Sequence, residues 1–274
     1  FNFFTDTFSN VFSFFGTQMQ PTSISIILPV GISFYTFQTL SYTLDLYKQK
    51  IKPTKNIVVF FAFVSFFPQL VAGPIERASR LLPQFSNRRK FDYSKQVDGL
   101  RLILGGLFKK MVIADNCALL ANQIFESYPT QSGSTLFAGA VFFAFQIYGD
   151  FSGYSDIAIG SSRLLGFDLM KNFNFPYLSQ NMSEFWKRWH ISLSSWFRDY
   201  VYIPLGGSRV SNTRLILNIV IVFLVSGLWH GANLTFVFWG GIHAFFVIPV
   251  ILMHKKNKPQ TPVLPVAIWR QIVH

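Results

Sequence analysis

The chain has 274 residues, of which 50% are hydrophobic and 13% charged, with 33 Phe, one Cys and a formal net charge of +12. Soluble domains carry about a quarter charged residues, so the composition excludes an ordinary soluble globular protein. The single Cys117 excludes an internal disulfide framework and any multi-cysteine metal site.

The charge deficit gathers in uncharged windows at 7–44, 56–75, 127–149 and 215–254. A helix needs about 20 apolar residues to cross the hydrocarbon core, so the longest windows can each hold two passes or one pass plus a re-entrant piece. Together they predict six or seven passes. The apolar runs are continuous, without the ten-residue alternation of a β-barrel. The fold class is therefore an all-α polytopic integral membrane protein. The first residue, Phe1, is not Met, and no signal-peptide pattern follows it; the chain reads as one cut from a longer protein.

In chain order, helix is expected over about 22–47, with a kink at Pro29-Val-Gly31. Window 56–75 is flanked by basic residues on both sides: Lys48, Lys50, Lys52 and Lys55 before it, Arg77, Arg80 and the run Arg88-Arg89-Lys90 after it. Basic flanks mark the cytoplasmic side of a span. A segment broken by Pro68, Gly73 and Pro74 that re-enters the membrane explains both flanks, and an ordinary crossing with a weak charge rule is the alternative. The basic loops read as membrane orientation and anionic-lipid contact rather than nucleic-acid binding. A charge-bearing helix over about 96–126 is expected in the interface or within protein. Window 127–149 is a span, and the polar run 149–160 follows it. Asp150 and Asp156 there are either polar end-caps or part of a site. No linker or internal repeat appears, so residues 1–274 form one domain.

Two histidines stand out. His190 lies in the run 184–207, of which residues 184–200 project as one helix with Phe185, Trp189, Leu193, Trp196 and Tyr200 on one face and Glu184 paired with Arg188 on another. On a straight helix His190 and Asp199 fall on opposite sides, which argues against a His-Asp dyad. Such an aromatic-basic helix suits the membrane–water boundary. His230 lies in a stretch of 40 residues, 215–254, free of Asp, Glu, Lys and Arg. An ionisable ring at bilayer depth is a functional candidate by default, against the plainer reading of an imidazole bonding across helices. HExxH, Walker A, GxGxxG and GxSxG patterns are all absent.

Five phrases carry a resemblance: LPVGISFYTFQTLSYTLDLY (28–47), FFPQLVAGPIERASRLLPQF (66–85), QIYGDFSGYSDIAIG (146–160), FWKRWHISLSSWFRDYVYIPLGG (185–207) and SGLWHGANLTFVFWG (226–240). Over about residues 24–250 the chain resembles the membrane-bound O-acyltransferase family, and within it the branch that O-acetylates alginate. The resemblance implies a multi-helix bundle around a transmembrane tunnel, with re-entrant and interfacial helices. It also implies a bacterial cytoplasmic-membrane location. An acyl thioester donor, acetyl-CoA or an acyl carrier, would enter from one side as co-substrate. A polysaccharide acceptor or a periplasmic acetyl-relay protein would meet it from the other. No bound cofactor or metal is implied. The principal family histidine maps onto His230 and a second polar position onto His190; His243 matches no catalytic position.

The chemistry fits these residues. An alcohol is a poor nucleophile until a base removes its proton. A dry pocket beside Trp229 would favour a neutral His230 able to act so. A helix entering near Leu215 would carry His230 ~22 Å inward, deep in a core ~30 Å thick. His190 would polarise the thioester carbonyl or orient the donor. Trp186, Trp229, Asn233 and Asp156 are candidate substrate contacts. Lys187, Arg188 and Arg198 would attract either donor phosphates or lipid headgroups. A transporter or channel, or a structural subunit of a polysaccharide-export complex, is the competing class; transporters show repeated halves, and none is visible.

Overall fold

A computed structural model describes residues 31–256, and all of its regular elements are helical. The start of the first expected helix, with Pro29, lies outside the described residues. Gly31 takes a left-handed φ of 79° and leads into α1, Ile32–Tyr47. A side chain there would strike the Leu70 carbonyl oxygen at 2.2 Å, so the turn requires glycine.

Window 56–75 is broken, as its prolines predict. Asn56 caps α2, Ile57–Val64, by accepting from the Val58 and Val59 amides at 3.0 and 3.1 Å. Eight residues reach only ~12 Å, too short to cross the hydrocarbon core. A single 3-10 turn at Phe67–Gln69 and an extended stretch through Pro74 then lead to α3, Ala78–Ser86.

Three described helices are long and apolar enough to span a membrane: Gly133–Leu164, Asn212–His230 and Leu234–Lys256. Window 56–75 supplies none of these, because it breaks near Pro68 and Pro74 into pieces shorter than a span, and most of window 7–44 lies outside the described residues.

The first of these spans, α6 (Gly133–Leu164), packs antiparallel to α4 (Tyr93–Leu107), a π-helical stretch Phe108–Ala114 and α5 (Asp115–Glu126). The polar run 149–160 thus continues the helix of the span before it. Its small residues face the partner helix. A Cβ on Gly160 would meet the Gly99 carbonyl oxygen at 2.5 Å, and one on Gly153 would meet that of Gly106 at 2.7 Å. Backbones this close gain van der Waals contact, the main attraction available between helices in lipid.

The run 184–200 is not one helix. It divides into α7 (Met182–Arg188), α8 (Ile191–Phe197) and a π turn Arg198–Tyr202, with the break at Trp189-His190. The last two helices, α9 (Asn212–His230) and α10 (Leu234–Lys256), form an antiparallel hairpin closed at Gly227 and Gly240. Most of their outer surface, including Phe238 and Phe245, is exposed, as lipid-facing residues are.

Candidate active site

The break between α7 and α8 turns His190 inward. Its backbone adopts φ 42° and ψ 56°, a left-handed conformation that costs a side-chain-bearing residue roughly 1–3 kcal/mol. Of three non-glycine residues with positive φ among those described, two, Phe175 and His190, lie in this region. The surrounding structure holds the strain. The Ile191 amide donates to the Asn172 carbonyl at 2.8 Å, and the Asn174 amide donates to the Arg188 carbonyl at 2.9 Å, so residues 172–174 clamp the break from both sides.

The imidazole of His190 is 2% exposed. Phe151 stands edge-on at 4.7 Å between ring centroids, with Phe34, Phe173 and Trp229 at 6.4, 6.5 and 6.2 Å. Burial first, and the nearby His230 second, hold the ring well below the usual imidazole range, so it is neutral at physiological pH. Nδ1 lies 3.1 Å from Asn172 Oδ1, whereas Nε2 has no hydrogen-bond partner among the described residues.

Trp229 links this ring to His230, the next residue, at 4.8 Å. His230 is the last residue of its helix; part of its surface is exposed, and Trp229, Phe236 and Trp239 flank its ring. Nineteen residues rise ~28 Å, a length comparable to a hydrocarbon core ~30 Å thick. His190 is the more deeply buried of the two imidazoles. Beyond His230 the aromatic chain continues through Trp239 (5.1 Å) to His243 (4.4 Å from Trp239) and Trp186 (5.1 Å from His243). His243, one helical turn from Trp239, therefore joins the cluster, although no sequence motif pointed to it. Trp186 Nε1, Trp229 Nε1 and His243 Nδ1 are, like His190 Nε2, buried without partners among the described residues. Four open ring nitrogens along one chain of aromatic rings fit polar groups that the described residues do not supply.

A cavity of about 200 Å³ opens beside this chain, lined by Trp186, Lys187, Arg198, Phe223 and Ser226 among others. A wider, more polar cleft adjoins it through the shared Ser183, Lys187, Tyr202 and Ile251, and adds Arg209, His254 and Lys255. The path therefore runs from a basic mouth to an apolar throat one turn short of His230.

The other candidates separate. Arg188 is held by Glu184, the expected i, i+4 pair, and lies outside the lining. Asn233 caps α10, its Oδ1 accepting from the Thr235 amide at 3.0 Å. Asp156 is ion-paired to Lys109 at 2.5 Å on the α4–α6 side of the molecule. Asp199 pairs with Arg77 at 3.1 Å, so the absence of a His190–Asp199 dyad holds, although the helix is broken rather than straight. The same guanidinium donates to the Ser192 carbonyl at 3.3 Å and Ser195 Oγ at 3.1 Å, tying α8 to the chain before α3. Trp196 Nε1 donates to the Phe37 carbonyl at 3.1 Å and fixes α8 against α1.

Residues 49–260 match the membrane-bound O-acyltransferase family, and the chain belongs to it. It is 45% identical over 247 residues to a protein of Pseudomonas aeruginosa described as "Probable alginate O-acetylase AlgI", covering 90% of this chain and 47% of that one. A protein of the same description from Azotobacter vinelandii is 46% identical, covering 95% of this chain and 52% of its own length. The peptidoglycan O-acetyltransferase of Helicobacter pylori is 40% identical, covering 88% and 50%. The chain spans about half the length of the curated relatives it matches.

Proposed function

We propose that this chain carries the reaction centre of a bacterial membrane O-acetyltransferase that acts on a cell-surface or exported polysaccharide, alginate-like or peptidoglycan. The observation that supports this most is the pair of imidazoles that both pack against Trp229, with a basic-mouthed cavity that reaches Ser226, one helical turn from His230. Lys187, Arg198, Arg209 and Lys255 suit the phosphates of a thioester donor such as acetyl-CoA or an acyl carrier, and the apolar throat suits its uncharged arm.

In the proposed reaction the acceptor hydroxyl attacks the thioester carbonyl carbon. A C–O bond forms, the C–S bond breaks, and the hydroxyl proton passes to His230 and then to the departing thiolate. The acceptor is either the polymer itself or a periplasmic protein that relays the acetyl group to it. The enzyme resides in the cytoplasmic membrane.

The test compares acetyl transfer by the purified full-length protein with that of His230→Ala at matched abundance. Loss of transfer with normal membrane insertion is expected. Retained transfer would remove His230 from the chemistry.

A further inference from the structure

Asn172 was singled out by no motif, yet it is fully buried and its side chain joins His190, Ser192 and Ser155. Its Oδ1 accepts from the Ser192 backbone amide at 3.3 Å and from Ser192 Oγ at 2.8 Å, and lies 3.1 Å from His190 Nδ1. Its Nδ2 donates to Ser155 Oγ at 3.0 Å, which anchors it to α6.

This geometry fixes a tautomer. A backbone N–H can only donate, so the Ser192 amide requires the oxygen, not the nitrogen, of the Asn172 side chain to face it. That oxygen then also faces His190 Nδ1. Two lone pairs at 3.1 Å would repel, so Nδ1 carries the hydrogen. Ser192 Oγ lies 3.3 Å from the same nitrogen but has its shorter bond to Asn172, so it does not compete for the donor role. The neutral ring has one proton; with Nδ1 protonated, Nε2 holds a free lone pair, and Nε2 is the nitrogen left open.

We propose that Asn172 is a positioning residue that locks His190 as the Nδ1–H tautomer, making Nε2 a hydrogen-bond acceptor for a donor O–H or N–H of the bound substrate. An acceptor nitrogen cannot polarise a thioester carbonyl, which needs a donor. His190 therefore orients a substrate hydroxyl or amide, and the role of carbonyl electrophile passes to the open N–H groups of Trp229 and Trp186. The assignment of the substrate rests on the acyl-transfer reading above; the tautomer does not.

Two experiments separate these. The first reads the tautomer in the wild-type full-length protein, by nitrogen-15 NMR of labelled histidine in nanodiscs, with the His190 signals identified by their loss in His190→Gln. Protonated Nδ1 and bare Nε2 are expected whatever reaction the protein performs. A protonated Nε2 overturns the proposal.

The second measures acetyl transfer against pH. Charged and titratable groups near the ring are few: His230 beyond Trp229, and the Arg77–Asp199 pair behind Ser192. Asn172→Asp keeps the accepting oxygen and adds a negative charge, so it should retain turnover at high pH while the acid limb of the profile moves upward. Asn172→Ala should lower kcat ~10-fold to 10²-fold at all pH values, within the range for a misplaced catalytic group. A merely structural Asn172 would make the aspartate at least as damaging as the alanine, with no movement of the limb. That result, or wild-type turnover in Asn172→Ala, rejects the positioning role.

Discussion

The half of the molecule built from α4 to α6 and the half built from α7 to α10 solve opposite problems. In the first, backbones close on one another at Gly99–Gly160 and Gly106–Gly153, and the charges are paired: Lys109 with Asp156, and Lys110 with both Asp115 (2.7 Å) and Asp150 (2.9 Å). Its only buried side-chain polar atoms without partners, among the described residues, are Gln146 Oε1 and Ser152 Oγ. In the second, α9 and α10 also close on one another, at Gly227 and Gly240, but large aromatic rings fill the interior beside them, Phe175 and His190 have strained backbones, and four ring nitrogens stand open. Closed polar groups stabilise a fold, whereas open ones cost stability and persist where a ligand completes them. The difference separates scaffold from site more sharply than burial does.

The largest expected effect falls on the open half. His190→Ala removes the one fully enclosed imidazole and should lower turnover by ~10²-fold or more, the usual yield of a positioned acid–base group. Alanine keeps the same left-handed strain and leaves a cavity beside Asn172, so some loss of thermal midpoint is expected, and turnover is read per folded molecule. A fall in abundance that accounts for all the lost activity would make His190 scaffold and break the comparison. The closed half predicts the reverse. Gly160→Leu drives a side chain into the Gly99 carbonyl, and overpacking costs roughly 1–3 kcal/mol. Its midpoint and membrane yield should fall while kcat per surviving molecule stays near wild type. Unchanged yield would show that the helices separate without penalty.

Much of this division could be read from the chain, and its failures have physical causes. The uncharged window 215–254 gave two helices because nothing interrupts it but Gly231 and Asn233, the turn between them. Window 56–75 broke where Pro68 and Pro74 deny backbone donors. The run 184–200 misled because its helical periodicity is real on both sides of a break it does not encode. That break is held by Asn172, 18 residues upstream, through bonds that no local pattern shows. The helix end at His230 was hidden for a related reason: counting from Leu215 gives the distance along the helix but not where the helix stops. The ion pair of Asp156 was hidden because its partner, Lys109, is 47 residues away.

Glu76 tests the boundary between the halves. It is buried at the start of α3, accepts from the Met170 amide, and lies 3.8 Å from Arg80. Burial raises its carboxyl above the ordinary range, against the opposing pull of Arg80, the Met170 amide and Arg77. A raised folded value means the folded protein binds this proton more tightly than the unfolded chain does. The associated stability is full below the unfolded carboxyl value of about 4.3 and is lost as pH rises through the folded one. Glu76→Gln imitates the protonated form. Its midpoint relative to wild type should therefore climb between acid and neutral pH and then level off. A relative midpoint that stays flat across that range would place the carboxylate in a better-solvated setting than its burial implies.

The smallest effect belongs to Asp156, and its smallness is the point. The Lys109–Asp156 pair is 32% and 25% exposed, so water screens it, and pairs of this kind contribute about 0–1 kcal/mol. Asp156→Asn keeps the shape and loses the charge; it should lower the thermal midpoint by an amount near the limit of detection and leave both kcat and KM for the donor unaltered. A double substitution, Lys109→Met with Asp156→Leu, should restore the midpoint, because two apolar side chains replace a pair whose desolvation offsets most of its attraction. Should Asp156→Asn instead reduce kcat tenfold at an unchanged midpoint, the carboxylate would belong to the reaction. The reaction centre would then extend across α6 into the half of the molecule assigned here to packing.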